Sequence, residues 1–245
     1  MDDPATQPAT GGSDAASGRT AIIGAQKSQT PLVPLIIILS AIAIYLWRSD
    51  FAPRWPMIIG AVLILVQMFI RGPFAKKAGS VTVSRDYVYR LDLIIMFGVF
   101  VTMVLLPTAR LVTPWLDTFD YQLGSASAVM GVIISIFSLW LFYRSHADLG
   151  KQWSATLQIG EEHQLVTNGV YARIRHPMYS ALWLYALAQP LLFQNWIAGP
   201  PVILVWAMLY FSRLPREERM MEEQFGKGYD DYRKHAGALW PRMRS

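Results

Sequence analysis

The apolar stretch Ser180–Phe193 is preceded directly by the segment Gly169-Val170-Tyr171-Ala172-Arg173-Ile174-Arg175-His176-Pro177-Met178-Tyr179. Polar groups at the start of an apolar helix carry a free-energy cost in a membrane, so a cluster of them usually marks a functional role. Pro177 suits the first turn of a helix, and it biases His176 toward an extended backbone. The pattern predicts a helix that begins at Pro177, with first-turn N–H groups that could bind an anion or a carboxylate.

The composition is typical of a polytopic membrane protein. Of 245 residues, 53% are hydrophobic and only 16% are charged, and the mean hydropathy is +0.28. A soluble domain of this length is normally more polar. The formal net charge of +5 fits the excess of Lys and Arg in cytoplasmic loops better than nucleic-acid binding, so we expect no nucleic-acid partner.

The absence of cysteine excludes disulfides, thiolate nucleophiles and cysteine-ligated zinc. Four histidines are present, but they lack the spacing of a zinc motif, so we expect no metal. Residues 1–30 are rich in small and polar types and lack the basic start and apolar core of a signal peptide. We expect them to form a disordered tail, because they cannot bury enough apolar surface to offset the entropy of ordering.

Six apolar runs are long enough to be membrane spans, and we predict an all-α polytopic helix bundle from them. The last two are short, and their Gln194-Asn195-Trp196 and Gly199-Pro200-Pro201 connection predicts a tight helical hairpin. The runs are Leu32–Trp47, Trp55–Ile70, Leu91–Val112, Ala126–Tyr143, Ser180–Phe193 and Ile197–Phe211.

Positive charge alternates between the predicted loops, which sets the orientation. The second and fourth loops and the C-terminal tail are basic, whereas the third loop carries Arg110 with Asp117 and Asp120, and the fifth carries no charge. Six spans with both termini in the cytoplasm satisfy this alternation. The segments 144–179 and 213–245 are then both expected on the cytoplasmic side.

A second polar cluster follows the last apolar run, with Arg213 and Glu217 four residues apart. On a helix the two side chains share one face, and one interpretation is a solvated salt bridge worth a few tenths of a kcal/mol. Pro215 predicts an interruption or the start of a new helical segment. Taken singly, the arginines and tyrosines of residues 171–179 are also compatible with topology charges and interface anchors.

In combination these motifs resemble the isoprenylcysteine carboxyl methyltransferase family. The resemblance covers roughly residues 145–241 and rests on several elements in order. These are Gly150…Trp153-Ser154, His163-x-Leu165-Val166-Thr167-x-Gly169-x-Tyr171, Arg175-His176-Pro177-x-Tyr179, Arg213-x-x-x-Glu217-Glu218 and Phe225-Gly226-x-x-Tyr229-x-x-Tyr232. Residues 1–125 match only as generic membrane spans. We divide the chain into the tail at 1–30, N-terminal transmembrane helices at 31–143 and a methyltransferase core at 144–245.

The resemblance implies an integral membrane enzyme that uses S-adenosyl-L-methionine and releases S-adenosyl-L-homocysteine. It implies a cytoplasmic cofactor pocket closed by the C-terminal tail, and it assigns Arg213 to the carboxylate of the acceptor. The cofactor contacts that it implies are Gln158, His163, Gln164, Leu165, Val166, Tyr171, His176, Pro177, Met178, Tyr179 and Glu217. Gln158 is the nearest match to a family glutamine, with a spacing that differs by two residues.

The residue types suit this chemistry. Aromatic, Leu and Val side chains suit an adenine, while carboxylates and cations suit the polar groups of the cofactor. A carboxylate acceptor is already a nucleophile at neutral pH, so alignment and removal of water are the main tasks. The expected partners are a lipophilic or prenylated acceptor, which could enter sideways between helices, and membrane lipids.

Three other functions stay open at this point. A phospholipid or other lipid amine as acceptor would need a base, for which His163, His176 and Glu218 are candidates. An NAD(P)H-dependent membrane lipid reductase would need phosphate contacts, which Arg173, Arg175, Arg216 and Arg219 could provide. A non-catalytic transporter is disfavoured, because Asp92 is the only acidic residue in a predicted span.

Overall fold

The computed structural model describes residues 32–49, 55–78, 83–86, 90–150, 158–160 and 164–242, and the expected tail at 1–30 lies outside them. The described chain is mostly helical, as predicted. Its α-helices are α1 (Leu32–Arg48), α2 (Trp55–Ala78), α3 (Arg90–Phe100), α4 (Leu106–Val112), α5 (Gly124–Leu149), α6 (Pro177–Phe193), α7 (Pro201–Phe225) and α8 (Lys227–His235). Short 3₁₀ turns occupy Pro114–Phe119 and Gly169–Ala172.

The prediction of an all-α chain missed one small element, a two-stranded antiparallel sheet. Strand β1 (Val83–Asp86) pairs with β2 (Gln158–Gly160), and Asp86 lies opposite Gln158. The two strands belong to the loops that follow α2 and α5, so the sheet joins these loops at one end of the bundle. Strands this short carry little hydrophobic periodicity, which is why the sequence pattern did not indicate them.

Three segments are long and apolar enough to cross a membrane: Trp55–Phe74, Arg90–Val112 and Gly124–Leu149. They coincide with the second, third and fourth predicted spans, and α1 is apolar but shorter. Large apolar side chains point outward from these helices, among them Ile94, 68% exposed, and Phe137, 62% exposed. Such outward apolar faces are expected where helices contact lipid, and the chain is a multi-pass membrane protein.

The third predicted span is one continuous rod with a π-helical turn at Val101–Leu105 between α3 and α4. Pro107 has no N–H for the regular helical ladder, and a local widening of the helix is one way to accommodate it. Gln189 of α6 donates from Nε2 to the Thr102 carbonyl at 2.7 Å. A side chain of a neighbouring helix therefore satisfies backbone at this irregular turn.

Helices α5 and α6 pack closely along their lengths. A Cβ placed on Gly131 would lie 3.0 Å from the Cβ of Leu191, so the absence of a side chain allows this close approach. Ser138 donates from its hydroxyl to the Ala181 carbonyl at 2.7 Å. Small residues and a serine hydroxyl are a common means of joining membrane helices, and they hold the start of α6 against α5.

The predicted helical hairpin is formed by α6 and α7. Asn195 is fully buried in the connection, and its Oδ1 accepts from the N–H groups of Ile197 and Ala198 at 3.0 Å each. Gln194 ends α6 in a left-handed conformation with φ 44°. One buried amide thus caps the turn between two antiparallel helices.

The expected interruption at Pro215 was wrong, because α7 runs without a break from Pro201 to Phe225. Next to the proline, Arg216 donates from Nε to the Ser212 carbonyl at 2.8 Å, and its Nη2 pairs with Asp92 at the start of α3. These contacts tie the helix together on both sides of Pro215. They also give Asp92 a structural partner. Asp92 is the one acidic residue in a predicted span, so this ion pair further disfavours a transport pathway.

The end of the bundle that carries the α6–α7 turn is held by a network of ion pairs. Arg110 is 3% exposed, and it donates from Nε to Asp120 Oδ1 at 2.9 Å and from Nη2 to Asp120 Oδ2 at 2.6 Å. Asp117 bridges Arg110 and Arg48, and Asn195 donates to Asp120 Oδ1 at 2.8 Å. The network joins α1, α4 and the hairpin turn.

We expect Arg110→Met to destabilise the protein by about 3–5 kcal/mol, because it leaves the carboxylate of Asp120 buried without its charge partner. Asp117→Asn is the matched control, since the side chain of Asp117 is 44% exposed and should contribute about 1 kcal/mol or less. Thermal unfolding in detergent measures both. Equal losses for the two variants would contradict the assignment of Arg110 as the central residue of the network.

Candidate active site

A cavity of about 470 Å³ lies between helices α2, α3, α5, α6 and α7, next to α8. Its walls combine apolar, aromatic and charged side chains, as ligand sites usually do. It brings together nine of the twelve predicted site residues: Gln164, Leu165, Val166, Tyr171, His176, Met178, Tyr179, Arg213 and Glu217.

The other three predicted residues stand apart from this set. Pro177 is buried at the first position of α6 and is not among the residues that line the cavity. It sets the start of the helix, and its assignment as a cofactor contact stays a prediction. Gln158 belongs to β2, but its side chain is outside what the structure describes, so its assignment stays a prediction. His163 lies outside the described residues.

The backbone before α6 is held by the C-terminal tail. Arg175 and His176 donate their N–H groups to the carbonyls of Gly237 and Ala238 at 2.8 Å and 3.0 Å, and Gly237 donates to the Arg173 carbonyl at 3.0 Å. This strand-like pairing explains why His176 is non-helical, with φ −123° and ψ 59°, just before Pro177. The tail therefore holds in place the segment from which Arg175 and His176 line the cavity.

Tyr171 is positioned by a tight 3₁₀ turn. Gly169 has φ +57°, and an added Cβ would meet Asp148 Oδ2 at 2.1 Å, so this position requires glycine. The same carboxylate oxygen accepts from the Val170 N–H at 2.8 Å. Tyr171 donates to the Ser145 carbonyl at 3.3 Å, and Tyr232 donates to the Tyr171 carbonyl at 2.5 Å. Burial, aided by the charge of Glu217, raises the pKa of Tyr171, so the phenol stays protonated.

Glu218 is the polar centre of the region beside the cavity. It accepts from Arg175 Nε at 3.0 Å and Nη2 at 3.2 Å, and its Oε1 lies 2.6 Å from His176 Nε2. Arg233 of α8 lies 3.6 Å away from the other oxygen. Burial opposes ionisation, but the hydrogen bonds and charges of His176 and Arg175 outweigh it and lower the pKa of Glu218 to about 2. The carboxylate is thus ionised and ties α7 to the segment before α6.

Arg213 and Glu217 both face the cavity, but among the described residues they form no ion pair with each other. Glu217 accepts from the Tyr179 hydroxyl at 2.5 Å. Arg213 is only 9% exposed, its Nη1 lies 3.8 Å from the Met96 sulfur, and its Nε has no hydrogen-bond partner in the described structure. The i,i+4 salt bridge considered from the sequence is therefore not formed.

An aromatic wall supports the residues at the start of α6. The rings of His176 and Tyr179 stack with centroids 5.6 Å apart, and Tyr179 contacts Trp206 and Tyr210 edge to face at 5.8 Å each. These rings fix the orientation of the Tyr179 hydroxyl toward Glu217.

Sequence reasoning missed several lining residues. Arg175, Tyr229 and Tyr232 belong to the sequence motifs but are not among the predicted methyltransferase site residues, and all three line the cavity. Gln67, Arg71 and His146 also line the cavity; their polar character inside or beside apolar runs was the available signal. Within the described ranges, no group of three or more His, Asp and Glu residues is arranged to hold a metal ion.

The fold and site define a class: a multi-pass membrane protein with a mixed polar and apolar cavity at one end of its helices. Residues 129–223 match the model of the isoprenylcysteine carboxyl methyltransferase (ICMT) family, which confirms the resemblance predicted from the motifs. The matched segment includes nearly all of α5, all of α6 and most of α7, with Arg213 and Glu217 inside it.

Parts of this chain are also similar to individual proteins named protein-S-isoprenylcysteine O-methyltransferase. A protein-S-isoprenylcysteine O-methyltransferase of Schizosaccharomyces pombe is 35% identical over 74 residues, which are 30% of this chain and 31% of the relative. The Dictyostelium discoideum enzyme is 33% identical over 49% of each chain. A probable enzyme of this name from Oryza sativa subsp. indica is 24% identical over 76% of this chain and 93% of its own.

A solved structure of the eukaryotic intramembrane Ras methyltransferase, isoprenylcysteine carboxyl methyltransferase, is similar at 18% sequence identity. The similarity covers 93% of this chain and 91% of that one, with a TM-score of 0.44.

The low pKa of Glu218 makes stability dependent on pH in a defined window. A carboxyl whose pKa falls from 4.5 to about 2 on folding stabilises the folded state above pH 4.5, and this contribution is lost as the pH falls toward 2. We expect wild type to exceed Glu218→Gln in free energy of unfolding at pH 6, by on the order of 3 kcal/mol. The difference should shrink progressively below pH 4.5.

Thermal unfolding in detergent across this pH range measures the difference. Glu223→Gln is the control, because Glu223 is exposed on the same helix and should not change stability at any of these pH values. A wild-type advantage that is constant from pH 6 to pH 2 would show that the charge of Glu218 is not the stabilising factor.

Proposed function

We propose that the protein is a methyltransferase that transfers a methyl group from S-adenosyl-L-methionine to the carboxylate of a lipophilic, prenylcysteine-like acceptor. The observation that carries the proposal is the pair Arg213 and Glu217. The two groups face one cavity from adjacent turns of α7 without neutralising each other. Arg213 is a buried cation with an unused donor, so it suits a negatively charged group of one ligand. Glu217 is a carboxylate, so it suits a positively charged or hydroxyl group of the other.

The residues present fit the proposed cofactor. The cavity volume of about 470 Å³ lies within the usual range for small-molecule sites. Leu165, Val166 and Tyr171 offer an apolar and aromatic surface for an adenine, and Glu217 offers a carboxylate for an ammonium or for ribose hydroxyls. When bound, this cofactor would supply an electrophilic methyl group on a positively charged sulfur.

The other side of the cavity suits the acceptor. Met96, Val99, Phe100 and Met103 line it from α3 and the π-helical turn, and they give an apolar surface for a lipid chain. Arg213 meets this surface through Met96, at 3.8 Å, so a carboxylate on an apolar body would reach the guanidinium. Because a carboxylate needs no general base, the residues act by alignment and exclusion of water.

The C-terminal region provides this exclusion. Tyr229 and Tyr232 of α8 line the cavity, and the segment Gly237–Leu239 binds the start of α6 through backbone hydrogen bonds and the Ser180 hydroxyl. Arg233 links α8 to Glu218 and Glu222 of α7. We therefore assign the tail as the cover of the site on the side away from the apolar wall.

The topology belongs to the same proposal. We propose six spans with both termini in the cytoplasm, so that the cavity faces the cytoplasm. Pairing of β1 with β2 supports a common side for the loops after α2 and α5, which are the most basic loops of the chain. The contacts of the tail with the start of α6 support the same side for residues 213–242.

The competing functions are less well supported. A lipid amine is disfavoured as the acceptor for two reasons. Two of the candidate bases, His176 and Glu218, form a hydrogen bond with each other at 2.6 Å. The charge of Arg213 would also repel a cationic head group. A reductase is disfavoured, because Arg175 is engaged by Glu218 and Arg216 by Asp92, which leaves fewer cations for a cofactor phosphate.

We expect S-adenosylhomocysteine to bind the detergent-purified protein in calorimetry, and we expect Glu217→Gln to weaken this binding by about tenfold or more, as loss of a charged hydrogen-bond partner does. Arg213→Met should leave this binding within about twofold, yet abolish methyl transfer to a carboxylate acceptor. Glu223→Gln and Arg219→Met are matched controls on exposed positions of the same helix. Binding of NADPH alone would overturn the proposed function.

A further inference from the structure

Helix α2 lies outside the segment that matches the family, yet it forms part of the cavity wall. Gln67, Met68 and Arg71 line the cavity from two successive turns of this helix. Positions i and i+4 lie on one helical face, so Gln67 and Arg71 present adjacent polar groups to the same space. Both stand in or next to an apolar run, where polar side chains usually mark a function.

Gln67 has an unused donor. The residue is 8% exposed, and its Nε2 is buried without a hydrogen-bond partner among the described residues. Buried amide groups are nearly always hydrogen-bonded, because an unpaired one destabilises the folded state. Packing alone would be served as well by a methionine of similar size. The amide therefore points to a ligand that accepts a hydrogen bond.

The neighbouring charges specify that ligand. Arg213 is 9% exposed with a partnerless Nε, and Arg71 is exposed on the cavity wall. Two cations and an amide donor thus line the cavity together, and an anionic group on a ligand would be attracted to all three, while Glu217 is assigned to the cofactor.

The surface around these donors is apolar. Met68 follows Gln67 on α2, and Met96, Val99 and Phe100 line the cavity from α3. A free inorganic anion gains nothing from such a surface, whereas an anion on an apolar body gains burial as well as charge pairing. The ligand that fits is a carboxylate joined to a lipid-like chain.

We propose that Gln67 and Arg71 complete the acceptor site with Arg213, and that they select an acid over its neutral analogues. The proposal rests on the proposed function, whose acceptor is a carboxylate with an apolar chain. It assigns acceptor selectivity to α2, outside the family-matched segment, while Glu217 and its neighbours bind the cofactor.

The test compares two ligands, S-farnesyl-N-acetylcysteine and its carboxamide, by calorimetry on the full-length protein in detergent, with and without S-adenosylhomocysteine. We expect wild type to prefer the acid by at least tenfold. Gln67→Met and Arg71→Met should each reduce this preference by about threefold to tenfold. Their affinity for S-adenosylhomocysteine should stay within about twofold of wild type.

The controls are Gln224→Met and Arg219→Met, which alter exposed residues of α7 and should keep the full preference. Gln67→Met should also keep or raise the thermal midpoint, because it removes an unpaired buried amide. A lower midpoint with an unchanged acid preference would show that Gln67 has only a structural role, and it would overturn the proposal.

The experiment distinguishes a failure of this proposal from a failure of the proposed function. Wild type that binds S-adenosylhomocysteine but does not distinguish acid from carboxamide overturns the role of α2 alone. Wild type that does not bind S-adenosylhomocysteine overturns the proposed function, and the acid preference measured without it still decides whether α2 binds a carboxylate.

Discussion

The contact of Glu218 with Arg175 and His176 is the constraint on which the site depends. One ionised carboxylate in the C-terminal third of α7 binds both side chains that precede α6, and it thereby holds the start of α6 against α7. The tail then pairs with the same two residues through their backbone N–H groups. Glu218 holds the side chains of Arg175 and His176, and the tail holds their backbone. Because both are fixed, α6 begins at a defined point and Tyr179 faces the cavity.

Two adjacent glutamates consequently have different roles. Glu218 is held in ion pairs by its partners, whereas Glu217 accepts only from a tyrosine hydroxyl in the described structure and faces the cavity. One turn earlier, Arg213 lies against a methionine sulfur instead of a carboxylate. The structure thus separates the ion pair of Glu218 from Arg213 and Glu217, which face the cavity without pairing with each other. The pattern Arg-x-x-x-Glu-Glu alone does not show this difference. In the proposed reaction, these opposite charges stay apart until the acceptor pairs with one and the cofactor with the other.

Much of this was predictable from the sequence, for physical reasons. Long apolar runs predicted the helices, Pro177 predicted where α6 begins, and the motif in residues 164–179 predicted one part of the cavity wall. The π-helical turn, the unbroken α7 at Pro215 and the β1–β2 pair were not predicted, because neighbouring helices and loops supply the hydrogen bonds that local propensity omits. Gln67 and Arg71 were not assigned to the site either, since only the packing of α2 against the other helices places them beside Arg213.

The most direct measurement is the chemical nature of the methylated product. The purified protein, supplied with methyl-labelled S-adenosylmethionine and S-farnesyl-N-acetylcysteine, should yield label that is released as volatile methanol in base, because a carboxyl methyl ester is hydrolysed there. Label that enters the acceptor but resists base would place the methyl group on another atom and contradict carboxyl transfer. Absence of label from any carboxylate acceptor, with bound S-adenosylhomocysteine demonstrated, would contradict the assignment of Arg213 to that group.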